Sequence, residues 1–355
     1  MISLLDRYIA ERVVFMTGLT LLVQLALMIF FVVVDVLPDF GQANFNLYEM
    51  LRYVFLSQPR RLYEIFPVVT LIGTLLGLST LASNAELVAM RAAGVSVSTI
   101  VGSAVKVGLA FAVIVVLVGE YVVPWSESQA QSGRAQALAR GMQKKASGLW
   151  LRDQNTFVNI GEVLPDLSLL NVNIYAFADG IDLRLQTHAS SAFYTKDEGW
   201  VLEGVEESRI AQRGIAVQHI DEKSWKTDLT EDIVGVFTVR PEGLSMQHLV
   251  RYIDHLKHNG QSTERYRLAL WQKALMPIAV VVMVLLATPF VFGPVRGGAL
   301  SRNIFWGIML GLAFILVTRL FGHFGLLYGL PPVVGAALPV LLFFGGALYL
   351  LRKAH

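Results

Sequence analysis

The chain has 355 residues, 54% hydrophobic and only 16% charged, too apolar a balance for an ordinary soluble domain. A formal net charge of +2 offers nucleic acid no global attraction. The absence of cysteine excludes disulfides, thiolate metal sites and a cysteine nucleophile.

Runs of about 20 apolar residues mark membrane crossings. Six occur, at Val13–Val36, Leu62–Ala82, Val97–Val123, Leu268–Phe292, Asn303–Phe324 and Pro331–Leu351. The N-terminal run is too long for a cleavable signal, and no small-x-small site follows it. Leu4, Leu5, Tyr8 and Ile9 share one face, which predicts a short interfacial helix that turns into the first span.

Between the second and third spans stands LASNAELVAMRAAGVSVSTIVG, Leu81 to Gly102. Ser83-x-x-Glu86 has the spelling of a capping box, and Gly94 suits the end of the helix. Ser96 or Ser98 then caps the next span. The spacing predicts a helix over Asn84–Ala93, with Leu87, Val88 and Met90 meeting solvent or headgroups. A two-residue loop would connect the spans more simply. Apolar knobs beside Glu86 and Arg91 therefore suit docking onto a cytoplasmic partner. Both termini inside puts most short-segment Lys and Arg on the cytoplasmic side, so the polar region between spans three and four is external.

That region reads as β. Asn155–Leu164, Asn171–Phe177, Asp182–Ala189, Ser191–Glu207 and Ile233–Val239 alternate or run in β-branched and aromatic residues, with turns at Asp179-Gly180 and Asp197–Gly199. The pattern predicts an antiparallel sandwich, a jelly roll or an open variant. Alternation places Trp150, Phe157, Ile160, Ile174 and Phe193 on the inward face. Helical sequence flanks the β region, and Ser245 caps the exit helix, which ends at Asn259-Gly260. The expected class is thus an α-helical membrane protein of six spans, 3+3, with an inserted periplasmic antiparallel, jellyroll-like β domain. The expected divisions are 1–124, 125–265 and 266–355.

Chemistry is hard to find. There is no P-loop, H-E-x-x-H, G-x-S-x-G or G-x-G-x-x-G. The densest histidine group is His248, His255 and His258, with His255-x-x-His258 one turn apart; a metal site would need a third convergent ligand, and the solvated face of a connecting helix fits better. His188 and His219 sit in strand sequence, as surface or edge residues. No metal, no cofactor and no catalytic residue is expected.

An ordered set of motifs carries a resemblance over essentially the whole chain: LLDRYI (Leu4–Ile9), FPVVTLIGTLLGLSTLASNAELVAMRAAGVS (Phe66–Ser96), GEYVVPWSE (Gly119–Glu127), RAQAL (Arg134–Leu138), GLWLRD (Gly148–Asp153), SWKTDLT (Ser224–Thr230), FVFGPVR (Phe290–Arg296) and YGLPPVVGAALP (Tyr328–Pro339). The chain resembles the LptF/LptG permease family of the lipopolysaccharide-export ABC transporter, its LptG branch most. The resemblance implies a bacterial inner-membrane half-transporter that takes lipopolysaccharide from the outer leaflet and passes it to a periplasmic bridge. It implies pairing with an LptF-type permease, an LptB-type ATPase dimer that binds the ATP, and an LptC-type single-span protein. In the family the coupling helix matches Asn84–Ala93, so Glu86, Leu87, Met90 and Arg91 are the expected contacts to the ATPase. Helices one and five line the family's gate.

Family members often carry lysines at the outer end of helix one, whereas FVVVDVLPDF (Phe31–Phe40) holds two acids and no base. Arg134 remains available for lipid phosphate. Arg319, placed about one turn from the outer end of span five, has two readings: a snorkelling anchor at the interface, or, from the family's gate geometry, a source of positive charge on the opposite wall, held by Asp35 or Asp39 before lipid arrives. Trp150, Phe157, Ile174 and Phe193 complete the expected lipid contacts. Two rival readings are a membrane transferase acting on lipid A and an assembly scaffold or sensor whose β domain binds a ligand. Convergent acids or histidines would favour the transferase, and ATP-dependent lipid release separates transport from scaffold.

Overall fold

A computed structural model describes residues 4–41, 45–138, 149–153, 156–163, 168–178, 182–195, 199–211, 214–225, 227, 241–258, 262–292 and 299–354. Among the described residues six helical segments are long and apolar enough to cross a membrane. The first half comprises α1 (Leu4–Val36), α2 (Leu47–Leu56), α3 (Gln58–Ser83), α4 (Glu86–Ala92) and α5 (Val97–Leu117). A π-helical turn at Val118–Val122 then leads into α6 (Val123–Leu138). After the β domain come α7 (Met246–His258), α8 (Glu264–Ala287), α9 (Ala299–Leu327) and α10 (Pro332–Ala354).

Helix α3 is the spine of the bundle, with Leu71, Leu75, Leu78 and Leu81 fully buried. Lipid tails are as apolar as leucine, so helices in a bilayer associate through close packing of small residues. A Cβ on Gly77 would stand 2.9 Å from Val13 Cα, which shows how closely α1 rides on α3. Helix α9 meets α3 in the same manner, where a Cβ on Gly307 would lie 2.8 Å from Leu75 Cδ1. In the π-helical turn, Gly119 leaves room for the Tyr63 ring.

The expected break before the first span is absent. Helix α1 is continuous from Leu4, because Asp6 is drawn into the bundle rather than left at the interface. Asp6 is 7% exposed and accepts from Ser103 Oγ at 2.6 Å and Lys106 Nζ at 2.8 Å. An ion pair with hydrogen-bonded ends can sit at a depth that a lone carboxylate could not.

Six strands form one antiparallel sheet in chain order: β1 (Leu149–Asp153), β2 (Thr156–Val163), β3 (Leu169–Ala178), β4 (Asp182–Thr195), β5 (Gly199–Ala211) and β6 (Gly214–Trp225). Strand β1 was not among those the sequence singled out, β6 was read only as strand sequence around His219 without bounds, and β4 runs straight through the expected interruption at Ser190. Ile233–Val239 and the turns at Asp179-Gly180 and Asp197–Gly199, Gly199 excepted, lie outside the described residues.

The strands switch faces partway. On one side of the row Gly161–Asn171–Ser190–Gly204 the buried residues include Ile160, Val172, Ala189 and Val205; on the other they include Leu169, Ala192, Trp200 and Leu202. A regular strand keeps i and i+2 on one face, so the alternation of buried residues breaks at this row although the pairing register continues across it. Asn171 and Gly204 take the left-handed backbone there, with φ of 52° and 60°. All these buried side chains join one cluster, so the apolar face continues across the bend. Of the three β forms left open by the sequence, the described strands make the open one, bent on itself.

Candidate functional site

Helix α4 begins at Glu86, preceded by Ala85 in the left-handed region (φ 61°), and no side chain caps it. The capping box does not form. Ser83 belongs to α3, and its hydroxyl donates to Thr80 O at 3.0 Å. Glu86 is thereby free to reach elsewhere. Its Oε2 accepts from Tyr8 Oη of α1 at 2.6 Å, and Oε1 accepts from Asn84 Nδ2 at 3.3 Å. These bonds, Tyr8 first, hold its carboxyl below the usual range. The Arg12 guanidinium sits over the Tyr8 ring, 5.5 Å from its centre.

The end of α4 closes as expected. Gly94 takes φ 90°, its N–H donates to Arg91 O at 3.0 Å, and Val95 N–H donates to Met90 O at 3.0 Å. This double bond pattern satisfies the last carbonyls. Ser96 Oγ accepts from Thr99 N–H at 3.2 Å and caps α5.

The docking face differs from the expected one. Leu87 is 4% exposed and Met90 packs against the same membrane core, so both anchor α4 instead of projecting from it. Val88 and Arg91 face outward. The reason is geometric: in seven residues two turns must hold the helix on the bundle, and Leu87 and Met90, three apart, share one face.

At the outer end of α1, Arg134 of α6 binds Asp39 through Nε at 3.0 Å and Nη2 at 2.5 Å. Its guanidinium also stacks over Tyr53, 5.1 Å from the ring centre. Asp39 therefore pairs with Arg134, and the expected Arg319 partnership is not formed. Helix α3 lies between α1 and α9 in this chain, which keeps Arg319 from either acid of the first helix. Arg319 stands eight residues before the end of α9, more than the single turn expected, and lines a cavity of about 490 Å³ beside Lys273 and Arg60.

In the sheet, Ile160 and Ile174 are buried on the inner face as expected. Trp150, Phe157 and Phe193 lie on the other face. Trp150 pairs with Asn159 and stacks on Tyr175, with centres 5.9 Å apart; Phe157 meets Phe177 edge-on at 5.6 Å. Phe193 follows the buried Ala192 past the bend. Alternation within one strand cannot set which parity faces inward once the strands bend. Sequence reasoning missed Glu207, 2% exposed on the inner face, paired with Lys223 and with Arg209 at 2.9 Å. The Lys223 bond, ahead of the Arg209 one, holds its carboxyl below the usual range despite burial.

Helix α7 is tied to the membrane bundle. Ser245 caps it, accepting from His248 N–H at 3.2 Å, and Glu120 of the π-helical turn accepts from Met246 N–H at 3.0 Å. Lys273 Nζ donates to Leu244 O at 2.5 Å. His255 and His258 have no described side chains; among the described residues no cluster of metal-binding side chains forms.

The family of the lipopolysaccharide export system permease LptF/LptG matches residues 7–353. The lipopolysaccharide export system permease protein LptG of Escherichia coli (strain K12) is 35% identical over 354 residues, covering 99% of this chain and 98% of that protein. The protein of the same description from Haemophilus influenzae (strain ATCC 51907 / DSM 11121 / KW20 / Rd) is 33% identical over 345 residues, covering 97% and 96%.

Proposed function

The chain belongs to the lipopolysaccharide export permease family LptF/LptG, and we propose that it works as one half of an ATP-driven extractor of lipopolysaccharide. It is a multi-pass inner-membrane permease of lipopolysaccharide export. In our reading it pairs with an LptF-type permease, and an LptB-type ATPase dimer docks beneath α4 and turns over the ATP. An LptC-type single-span protein stands beside the entrance, and lipid passes along the apolar face around Ile174 toward a periplasmic bridge.

The observation that carries this reading is in α1. From Gly18 to Phe31 no residue is buried, although both ends of the helix are bonded to neighbouring elements. Fourteen residues span about 21 Å, most of the hydrocarbon depth. A helix seated on its neighbours up to Thr17 and again from Val32, but with no buried residue between, presents a wall that lipid or a second permease must cover, and such a wall suits a lateral entrance.

The experiment is purification of the chain with its bound partners, reconstitution with lipopolysaccharide, and measurement of lipid release with and without ATP. Release that requires ATP and falls in Glu86→Gln supports the extractor. Equal release without nucleotide would leave the scaffold reading.

A further inference from the structure

The cavity at Arg319 is not used by the transport reading. It lies inside the chain, between α3, α8, α9 and α10, and Glu242 and Leu249 from the segment leaving the β domain close its outer side. Its upper wall is charged. Arg60 is engaged by Glu64 at 2.9 Å and Glu127 at 3.1 Å, and Lys273 by Leu244 O and by Glu120 at 3.8 Å. Arg265 and Arg319 have no ion pair among the described residues. Arg60 and Lys273 are thus matched by acids, and the positive charge the cavity still offers is that of Arg265 and Arg319. The Thr318 hydroxyl is buried beside Arg319 with no hydrogen-bond partner among the described residues. A buried hydroxyl without a partner is a group awaiting one. The lower wall is apolar, built from Phe314, Ile315, Ala336 and Val340.

Depth fits the same occupant. Helix α9 has 29 residues, about 43 Å against a hydrocarbon core of about 30 Å, so its last turns stand partly clear of the tails. Arg319 then lies near the boundary between tails and phosphates. An ionised side chain at that depth needs a partner or a polar cavity. A guanidinium offers phosphate oxygens two parallel hydrogen bonds, and Thr318 can donate a third.

We propose that this cavity is a binding site for the phosphate-bearing headgroup of a membrane lipid, held by Arg319, Arg265 and Thr318, with one acyl chain against Phe314 and Ile315. A volume of about 490 Å³ accommodates a headgroup and part of a chain, not a many-chained glycolipid entire. The site is distinct from the entrance along α1, and the export reading stands whichever way it is decided.

The test is native mass spectrometry of the delipidated full-length protein, titrated separately with phosphatidylglycerol, lipid A, diacylglycerol and inorganic phosphate. Phosphatidylglycerol, lipid A or both should bind, and diacylglycerol should not. Arg319→Gln should raise the dissociation constant about tenfold, the loss expected for one charge-assisted contact. Ile315→Trp, which fills the cavity while keeping every cation, should weaken binding similarly. Arg352→Gln, near the C-terminus of α10, should leave it unchanged. Loss confined to phosphatidylglycerol identifies a resident phospholipid, and loss shared with lipid A identifies the exported substrate's phosphate. Binding unaltered in both Arg319→Gln and Ile315→Trp overturns the site. Inorganic phosphate binding as tightly as either lipid overturns the lipid assignment.

Discussion

Tyr8 and Glu86 stand 78 residues apart, and a 2.6 Å bond joins them. It connects α1, the wall proposed to admit lipid, directly to α4, the element proposed to meet the ATPase. Tyr8→Phe removes that bond and little else, so the complex should still assemble while lipid released per ATP falls several-fold. An unchanged ratio would reduce Tyr8 to an ornament of the interface. Inside the sheet, Glu207 sets a second residue-scale expectation. Its folded pKa is lowered by Lys223 and then Arg209, so its stabilisation is present above the unfolded value, about 4.3, and disappears as pH falls through the lower, folded value. Glu207→Gln should cost about 1–3 kcal/mol at neutral pH and flatten the acid limb of stability. Thermal midpoints of the two proteins that stay separated by a constant amount down to acid pH would contradict this. Glu86 itself was legible in the sequence as a charged residue in an apolar gap. Its partner was not, because a contact across 78 residues leaves no local pattern, and the capping-box spelling pointed to Ser83 instead.

At the scale of elements, the spans were read from hydrophobic run length alone, and all six are present. Their ends shifted wherever a polar group found a partner, as Asp6 did with Lys106. Strand β6 was read only around His219, without bounds, because GIAVQHIDEKSW alternates only weakly, with Asp221, Glu222 and Lys223 in succession. The bend at Gly161–Asn171–Ser190–Gly204 could not be read at all, since it exists only once four strands are in register. Two substitutions test how much these close approaches carry. Gly204→Ala places a Cβ on a residue at φ 60°, 2.8 Å from Ser190 Oγ. The hydroxyl can turn away, so the remaining cost is backbone strain of about 1–2 kcal/mol. It should appear as faster proteolysis of the β domain with the membrane bundle intact. Gly77→Ala is more severe, because its Cβ meets the Val13 backbone at 2.9 Å and α1 must move as a unit. A lower thermal midpoint of the whole bundle is expected, and a midpoint equal to wild type would mean that α1 is not seated on α3 through this glycine.

The whole molecule arranges its polar ties around α1. Asp6–Lys106 and Tyr8–Glu86 hold the inner end, glycines of α3 hold the lower part, and Asp39–Arg134 holds the outer end. Val32 and Val36 add a small apolar cluster with Phe45 and Tyr53 beneath that outer pair. An entrance along Gly18–Phe31 cannot widen while both ends are fixed, and the outer fastening stands at the end of α1 that leads toward the β domain, partly exposed with Arg134 at 30% and Asp39 at 21%. A pair at that exposure contributes about 1 kcal/mol or less, weak enough to open and re-form during a transport cycle. An anionic lipid phosphate would compete with Asp39 for the same guanidinium, so arriving substrate would itself loosen the fastening. Asp39→Asn should then broaden the distance distribution between spin labels on Phe31→Cys and Trp125→Cys, a clean pair in a chain without cysteine. Exchanging the charges, Asp39→Arg with Arg134→Asp, should narrow it again, because the ion pair returns while the site for phosphate moves to α1. A distribution equally narrow in Asp39→Asn and wild type would show that the apolar cluster around Val36 and Tyr53 holds the helix without help from the charges.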